Sequence, residues 1–420
     1  MKLFGTPEQR LVVMVGSISF ISSLVFSLVG SLAPAFQRDL GIPPQAIGSI
    51  MGVYMLSSAA SGFLGTLYLD RFDRRKALAV GLTGVVFGLL ITGLAPNFTL
   101  LIAARILSGL FAGPANALSI ATLVDNVSAD RRGRALGTVS GFQALAQIIG
   151  IPAGLEITNL FGTWRAPFIG IAILAATVAI LVIVNLPPQR AHLERGTDFA
   201  IRQRLRLLGR LLTRPMCLLT YGLQMTGVVP LVAITTIMAV FLVNNLGFPN
   251  SGLATLYLVG GGVNILSARF VVGRAIDSIG AGVVSLASSV LLTAAIMMGY
   301  MGMNPGLPWV LVFAIFFVTS SSRLIVTQTT SMRIPRSDER AGFQSLSSSI
   351  QAATMGLSAL STRYLLGSTP DGKLTGIVPF AIGVIAVSWI YPFLVFKLDA
   401  MLKRRDLIAA QASGAPVSAQ

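Results

Sequence analysis

The sequence predicts an all-α membrane protein: twelve transmembrane helices in two pseudo-symmetric six-helix bundles. Three observations predict it. Only 11% of the 420 residues are charged, against about 25% in ordinary globular domains, while 54% are hydrophobic and the mean hydropathy is +0.79. Apolar runs of roughly 20 to 25 residues recur along the chain, each long enough for a hydrocarbon core about 30 Å thick. Sliding the chain on itself by 206 to 208 residues brings three separated segments into register in the same order.

Taken in order, the spans fall at about 11–35, 45–69, 77–96, 98–122, 133–158 and 166–186, then 215–243, 252–272, 281–302, 308–332, 342–366 and 375–396. The first run, Leu11 to Phe36, is too long for a signal-peptide core and reads as the first span. An even count puts both termini on one side, and the basic residues say which. Alternate segments hold 25 of the 31 Lys and Arg, and the opposite loops hold Arg38, Arg165 and Lys373. The arginine-rich end is therefore expected to face the cytoplasm of a bacterial inner membrane, with both termini there. Arg105, Arg323 and Arg363 remain inside spans.

The repeat sets the domain organisation. Leu40-Gly41-Ile42-Pro43 aligns with Leu246-Gly247-Phe248-Pro249, Asp70 with Asp277, and Asp130-Arg131-Arg132 with Asp338-Glu339-Arg340. Residues 1–186 and 215–402 are expected to form the two bundles, in the parallel-repeat arrangement that rocks about a midplane site. The linker 187–214 alternates Arg202, Arg204, Arg206 and Arg210 with Ile201, Leu205, Leu208 and Leu212, the pattern of a basic amphipathic helix suited to anionic lipid headgroups or to a solvated tether. The tail 403–420 is expected to be disordered.

A charged knot, Gly65 to Lys76, stands between the second and third spans, and Gly273-Arg274-Ala275-Ile276-Asp277-Ser278-Ile279-Gly280 repeats its skeleton. These residues resemble the major facilitator superfamily, in particular its drug-and-proton antiporter branch with the arabinose-efflux-like and sugar-efflux-like permeases. Asp70, Arg71, Arg74, Arg75 and Lys76 match the signature after the second helix, but Thr66 and Asp73 replace two expected glycines. The second copy keeps Gly273, Asp277 and Gly280. Arg105 to Gly113 resembles the family's arginine motif; Gly141, Gly150, Pro152 and Gly154 follow its antiporter motif in part, with Ile151 where glycine is expected. Phe161 to Phe168, and Arg323 with Arg340 to Gln351, resemble the arabinose-efflux-like group. The resemblance implies the major facilitator fold, alternating access, and a charge cluster of Arg71, Arg74 and Arg75 with Asp125.

Read for chemistry, Asp70 and Asp277 can act as latches by meeting helix N-termini of the opposite half, near Gly342 and Gly133, at about 0.3 to 1 kcal/mol each. The alternative is that the basic residues only set topology. A buried arginine costs about 2.5 to 3.5 kcal/mol on insertion scales, so Arg105 and Arg323 need compensation. Glu156 is the carboxylate at Arg105's depth, giving a candidate proton-sensitive pair; the alternative gives Arg105 backbone carbonyls. Arg323 has no acid at its depth and is expected to face the aqueous cavity. Tyr54, Asn116, Gln143, Gln147, Asn264, Gln328 and Gln351 are the uncharged cavity candidates.

The first span lacks an acid and His192 lies in the central linker, which disfavours cation export through a carboxylate there and excludes a buried histidine relay. Gly367 to Leu374 nearly matches a phosphate-binding loop, but Leu374 replaces the Ser or Thr that holds magnesium and no strand precedes it. With no metal-ligand cluster and no nucleophile–base constellation, the chain is expected to be no enzyme and to use no cofactor or metal. The expectation is a monomeric secondary transporter that exports a small organic molecule, sugar-like, metabolite or drug, in exchange for protons, and that binds no nucleic acid. An importer or facilitator of an anionic metabolite, or a membrane sensor on the same fold, are the alternatives.

Overall fold

A computed structural model of the chain describes residues 6–128, 131–187, 201–303, 306, 308–335 and 339–413. Helices α1 Pro7–Ser31, α2 Ala33–Leu40, α3 Ile47–Tyr68, α4 Arg74–Leu94, α5 Phe98–Asn126, α6 Arg132–Leu145, α7 Ile151–Phe161 and α8 Arg165–Asn185 build the first half. The second contains α9 Ile201–Thr213, α10 Pro215–Val240, α11 Asn250–Ser267, α12 Gly273–Ile279, α13 Ala281–Tyr300, α14 Trp309–Ser331, α15 Arg340–Leu365 and α16 Ile377–Ser413. A two-stranded hairpin, β1 Gly367–Ser368 and β2 Leu374–Thr375, joins α15 to α16.

Among the described residues, eleven helical units are long and apolar enough to cross a membrane. The remaining span of the fold is α15, whose sequence is rich in Ser, Gln and Thr. It lies between α3 and α10, so protein rather than lipid faces much of its surface; Thr354 and Ser361 bond within the helix, and Ser358 donates to the Val229 carbonyl of α10 at 3.1 Å.

The repeated Leu-Gly-x-Pro segments have a common cause. Gly41 and Gly247 both take positive φ, 60° and 68°, ending a helix in the left-handed conformation, and the proline two residues on prevents its continuation. The two charged knots are built differently. Asp73, standing where the family resemblance expects glycine, caps α4 by accepting the Arg75 amide at 3.0 Å, whereas the second copy stops α12 with Gly280 at φ 86°. Asp277 lies within α12, on a continuing helix rather than on a turn.

Spans five, seven and eight each contain a π-turn: Ala146–Gly150, Phe241–Asn245 and Ala268–Val272. In the fifth span it separates α6, which rests chiefly on α1, from α7, which also packs on α8 and α11. Part of the apolar face of α9 packs on protein: Leu208 and Leu211 are buried in one cluster with Phe343 and Leu346, while Leu212, Arg206 and Arg210 are exposed. Helix α16 continues through Ser413, so the described part of the expected tail is helical. Residues 188–200, with His192, and 414–420 lie outside the described residues, as do the side chains of Asp70, Arg202, Arg204 and Arg340.

Candidate functional site

The two halves meet closely at the arginine-poor end. At the crossing of α3 and α15, glycines remove the side chains that would hold the backbones apart. A Cβ on Gly48 would sit 1.9 Å from the Ala359 carbonyl oxygen, and one on Gly52 would sit 2.8 Å from that of Gly356. Gly30 of α1 packs against the Thr235 carbonyl of α10 in the same way, at 3.0 Å. Polar groups close the rim: Arg363 reaches Ser49 Oγ at 3.3 Å and Thr362 donates to the Gln45 carbonyl at 3.4 Å.

The opposite crossing, between the fifth and eighth spans, is looser. Gly261 meets the side chain of Ile148 there, and further toward the arginine-rich end Gly133, Gly137 and Gly141 of α6 have no neighbour within 4 Å of a Cβ position. The ion pairs described at that end join spans of one half: Glu8–Arg131 at 2.7 Å, Arg74–Asp125, Arg214–Glu339 at 3.0 Å and Arg333–Asp406 at 2.8 Å. The Arg75 guanidinium donates to the Ile183 carbonyl, and Arg71 is exposed. Asp277 is exposed and Gly133 has open space around it, so the structure does not bring these two together. Gly273 and Gly280 likewise face open space.

Both intramembrane arginines are fully buried, and their compensation is alike. Arg105 donates to the carbonyls of Val25 at 3.1 Å and Ile50 at 3.4 Å and lies 4.3 Å over the ring of Tyr54. Arg323 donates to Ser388 Oγ, to the Ser388 carbonyl at 2.9 Å and to the Thr226 carbonyl at 3.4 Å, and lies 4.3 Å over Tyr391. Tyr391 in turn donates to the Arg323 carbonyl at 2.6 Å. Carbonyls exposed at helix crossings plus an aromatic face offset part of the cost of each guanidinium without a carboxylate, although Arg105 Nη1 and Arg323 Nε are buried with no partner among the described residues; a desolvated cation–π contact alone contributes about 2 kcal/mol.

Two expectations change accordingly. Glu156 is not among the partners of Arg105; it is exposed on the same stripe of the fifth span as Ile149 and Leu160. Arg323 does not face an aqueous cavity, because spans seven, ten and twelve enclose it.

The uncharged candidates divide. Asn116 accepts from Ser22 at 3.1 Å and Gln147 donates to Ser27 at 2.6 Å, both tying the first span to its neighbours. Tyr54 is committed to Arg105, while Gln143 and Gln328 are exposed and Gln351 is half-buried. Asn264 buries an amide oxygen with no hydrogen-bond partner, as Gln224 does on α10. Ser22, Ser27, Gln224, Ser388 and Tyr391 carry no sequence signal, since a lone polar residue in an apolar run says nothing about the direction it faces.

Phe161 to Phe168 is structural. Gly162 stops α7 at φ 67°, Trp164 is fully buried against Phe36 and Phe168, and Arg165 donates to the Ala95 carbonyl at 3.0 Å.

Two repeated helical halves, sealed against each other at one end by glycine contacts and joined there by polar side chains, define a membrane transporter of the two-bundle class. The family model for the Major Facilitator Superfamily matches residues 15–360, and the chain belongs to that family. A triacylglyceride transporter of Mycolicibacterium hassiacum is 29% identical over 177 residues, 41% of this chain and 33% of that protein. An uncharacterized MFS-type transporter, YbcL of Bacillus subtilis, is 28% identical over 171 residues, 40% and 43% of the two chains. The matched segment thus spans between a third and a half of these relatives' own length. Among solved structures the nucleoside transporter NupG superposes with a TM-score of 0.71 at 12% identity, covering 92% of this chain and 99% of that one. The D-xylose-proton symporter gives 0.68 at 15% identity, covering 94% and 96%. Both likenesses show the fold.

Proposed function

We propose that the chain is a secondary transporter that moves a small, uncharged and largely apolar organic molecule by alternating access, exporting it in exchange for protons. The observation that carries this reading is the unequal contact between the halves. Glycine-packed crossings and polar side chains hold them together at the arginine-poor end, whereas among the described residues the inner half of the fifth span rests on the first span of its own half and has open space at Gly133, Gly137 and Gly141. With the arginine-rich end in the cytoplasm, this is a state open to the inside and closed to the outside.

The uncharged cargo follows from the arginines. An anionic metabolite needs a cation it can reach, yet Arg105 and Arg323 are both 0% exposed and engaged with carbonyls and rings. That disfavours the import of an anionic metabolite, and the triacylglyceride transporters among the relatives favour an apolar cargo. Exchange for protons rests on the antiporter resemblance, with Glu156 as the carboxylate inside a span.

Everted membrane vesicles loaded with the chain provide the test. Hoechst 33342 and labelled trioleoylglycerol serve as apolar probes, and a labelled pentose and a labelled dicarboxylate as polar ones. Transport of an apolar probe that stops when nigericin collapses the pH gradient is the expected result. Flux indifferent to nigericin overturns proton exchange, and flux of the dicarboxylate alone overturns the cargo class.

A further inference from the structure

The hairpin that resembles a phosphate-binding loop has a different place in the molecule. Its turn carries Gly372 at the arginine-poor end, and three groups converge there. Asn244 donates from its amide nitrogen to Gln37 Oε1 at 2.7 Å and to the Gly372 carbonyl at 2.7 Å, and Gln37 Nε2 donates to the same carbonyl at 3.5 Å. Gln37 belongs to α2 of the first half, whereas Asn244 ends the seventh span and Gly372 lies between the eleventh and twelfth.

We propose that Gln37, Asn244 and the Gly372 carbonyl are the gate that holds the arginine-poor end shut, and that this cluster must part each time the transporter opens to that side. Three features support it beyond the bonds. Gln37 and Asn244 stand three and two residues before the aligned Leu40 and Leu246, so the pair sits where the repeat brings equivalent helix ends together. Gly372 has φ 77°, which disfavours a side chain, and a Cβ there would come within 2.0 Å of Gln37 Nε2 and push that amide off the carbonyl. The hairpin is fastened to its own half separately, by Asn245, which donates to the Leu374 carbonyl at 2.9 Å and accepts from the Leu374 amide at 3.0 Å. Asn245 and the Asn244–Gly372 bond fix the strap to its own half; the bonds of Gln37 to Asn244 and to the Gly372 carbonyl join it to the other. Amide–carbonyl bonds suit a gate, since water replaces them when the cluster opens and each is worth little net.

The proposal rests on alternating access, and the test separates the two. In the full chain with Cys217→Ser, Met51→Cys places one thiol at a buried position beside Gly30 and the α1–α10 contact. A membrane-impermeant maleimide is applied to intact cells and to everted vesicles, so that the two faces are read apart. Gln37→Ala and Asn244→Ala should each speed labelling from the arginine-poor face about fivefold, as loss of two bonds of small net worth shifts a two-state population. Asn245→Ala should leave it unchanged. Equal acceleration by Asn245→Ala overturns the gate in favour of simple hairpin anchoring. Gly52→Leu, which forces the α3–α15 crossing apart, is the control: acceleration there but in neither gate variant overturns the gate and spares alternating access. No acceleration in any variant overturns both.

Discussion

At the scale of single residues, the two buried arginines decide most. Each is held by carbonyls and an aromatic face rather than by an acid, so each is a rigid part of its own half. Arg323→Lys keeps the charge but loses the planar fork that reaches Ser388 and Thr226 together. It should lower stability by about 1 to 3 kcal/mol, and Arg323→Ala, which also leaves a cavity, by about 2 to 5. Thermal unfolding of the purified chain in detergent reads both. Binding of an apolar probe should survive in the fraction that stays folded. Tyr54→Leu should cost about 1 to 2 kcal/mol through the lost ring beneath Arg105, while Gln143→Ala on the exposed face of α6 should cost nothing measurable. The sequence showed that these arginines needed compensation and, for Arg105, offered backbone carbonyls beside Glu156 without deciding between them. A search by depth finds carboxylates, because they are side chains; the carbonyls of Val25 and Ile50 become available only where helices cross.

Helices and their crossings are the next scale, and here glycine position governs. Gly48→Ala would drive a methyl group into the Ala359 carbonyl and Thr362 Oγ1, so it should separate α3 from α15 or lower the yield of folded chain. Gly141→Ala, with no atom within 4 Å, should do neither. Spin labels placed across the α3–α15 crossing would report the first as a longer distance and the second as no change. Spans and the repeat, with Gly41 matched to Gly247, were legible beforehand, because hydropathy and spacing are read directly from the residues; the helix ends that those glycines make were not. Less legible was α15, whose polar composition makes sense only between two other helices. The bends at Ala146–Gly150 and Ala268–Val272 gave no signal either, since a π-turn is imposed by what the helix packs against. Asp73 was legible as a departure from the family pattern but not as the cap of α4.

For the whole molecule, the asymmetry of charge supports the proposed orientation and the asymmetry of contact supports the proposed state. Fusing green fluorescent protein or alkaline phosphatase to the C-terminus should give bright fluorescence and no phosphatase activity; the reverse would place the arginine-rich end outside and invert the reading of which face is open. The basic linker helix also has a packing role: Leu208 and Leu211 cover part of the second half while Arg206 and Arg210 stay exposed. Leu211→Asp should therefore destabilise the second half, measured as faster proteolysis of the linker.

The last helix does more than cross. Its 37 residues make a rod about 55 Å long, against a hydrocarbon core of about 30 Å, so some seven turns belong to the span or its interface and the remainder stands beyond it. Leu398 and Leu402 are fully buried near its base, which keeps the projecting part in line with the bundle. Such a rod is a lever fixed to one half. A helical fusion continued in phase from Ser413 would turn with that half as a rigid body, so a rocking motion of a few degrees at the gate would appear as a swing of a large, easily imaged mass outside the membrane.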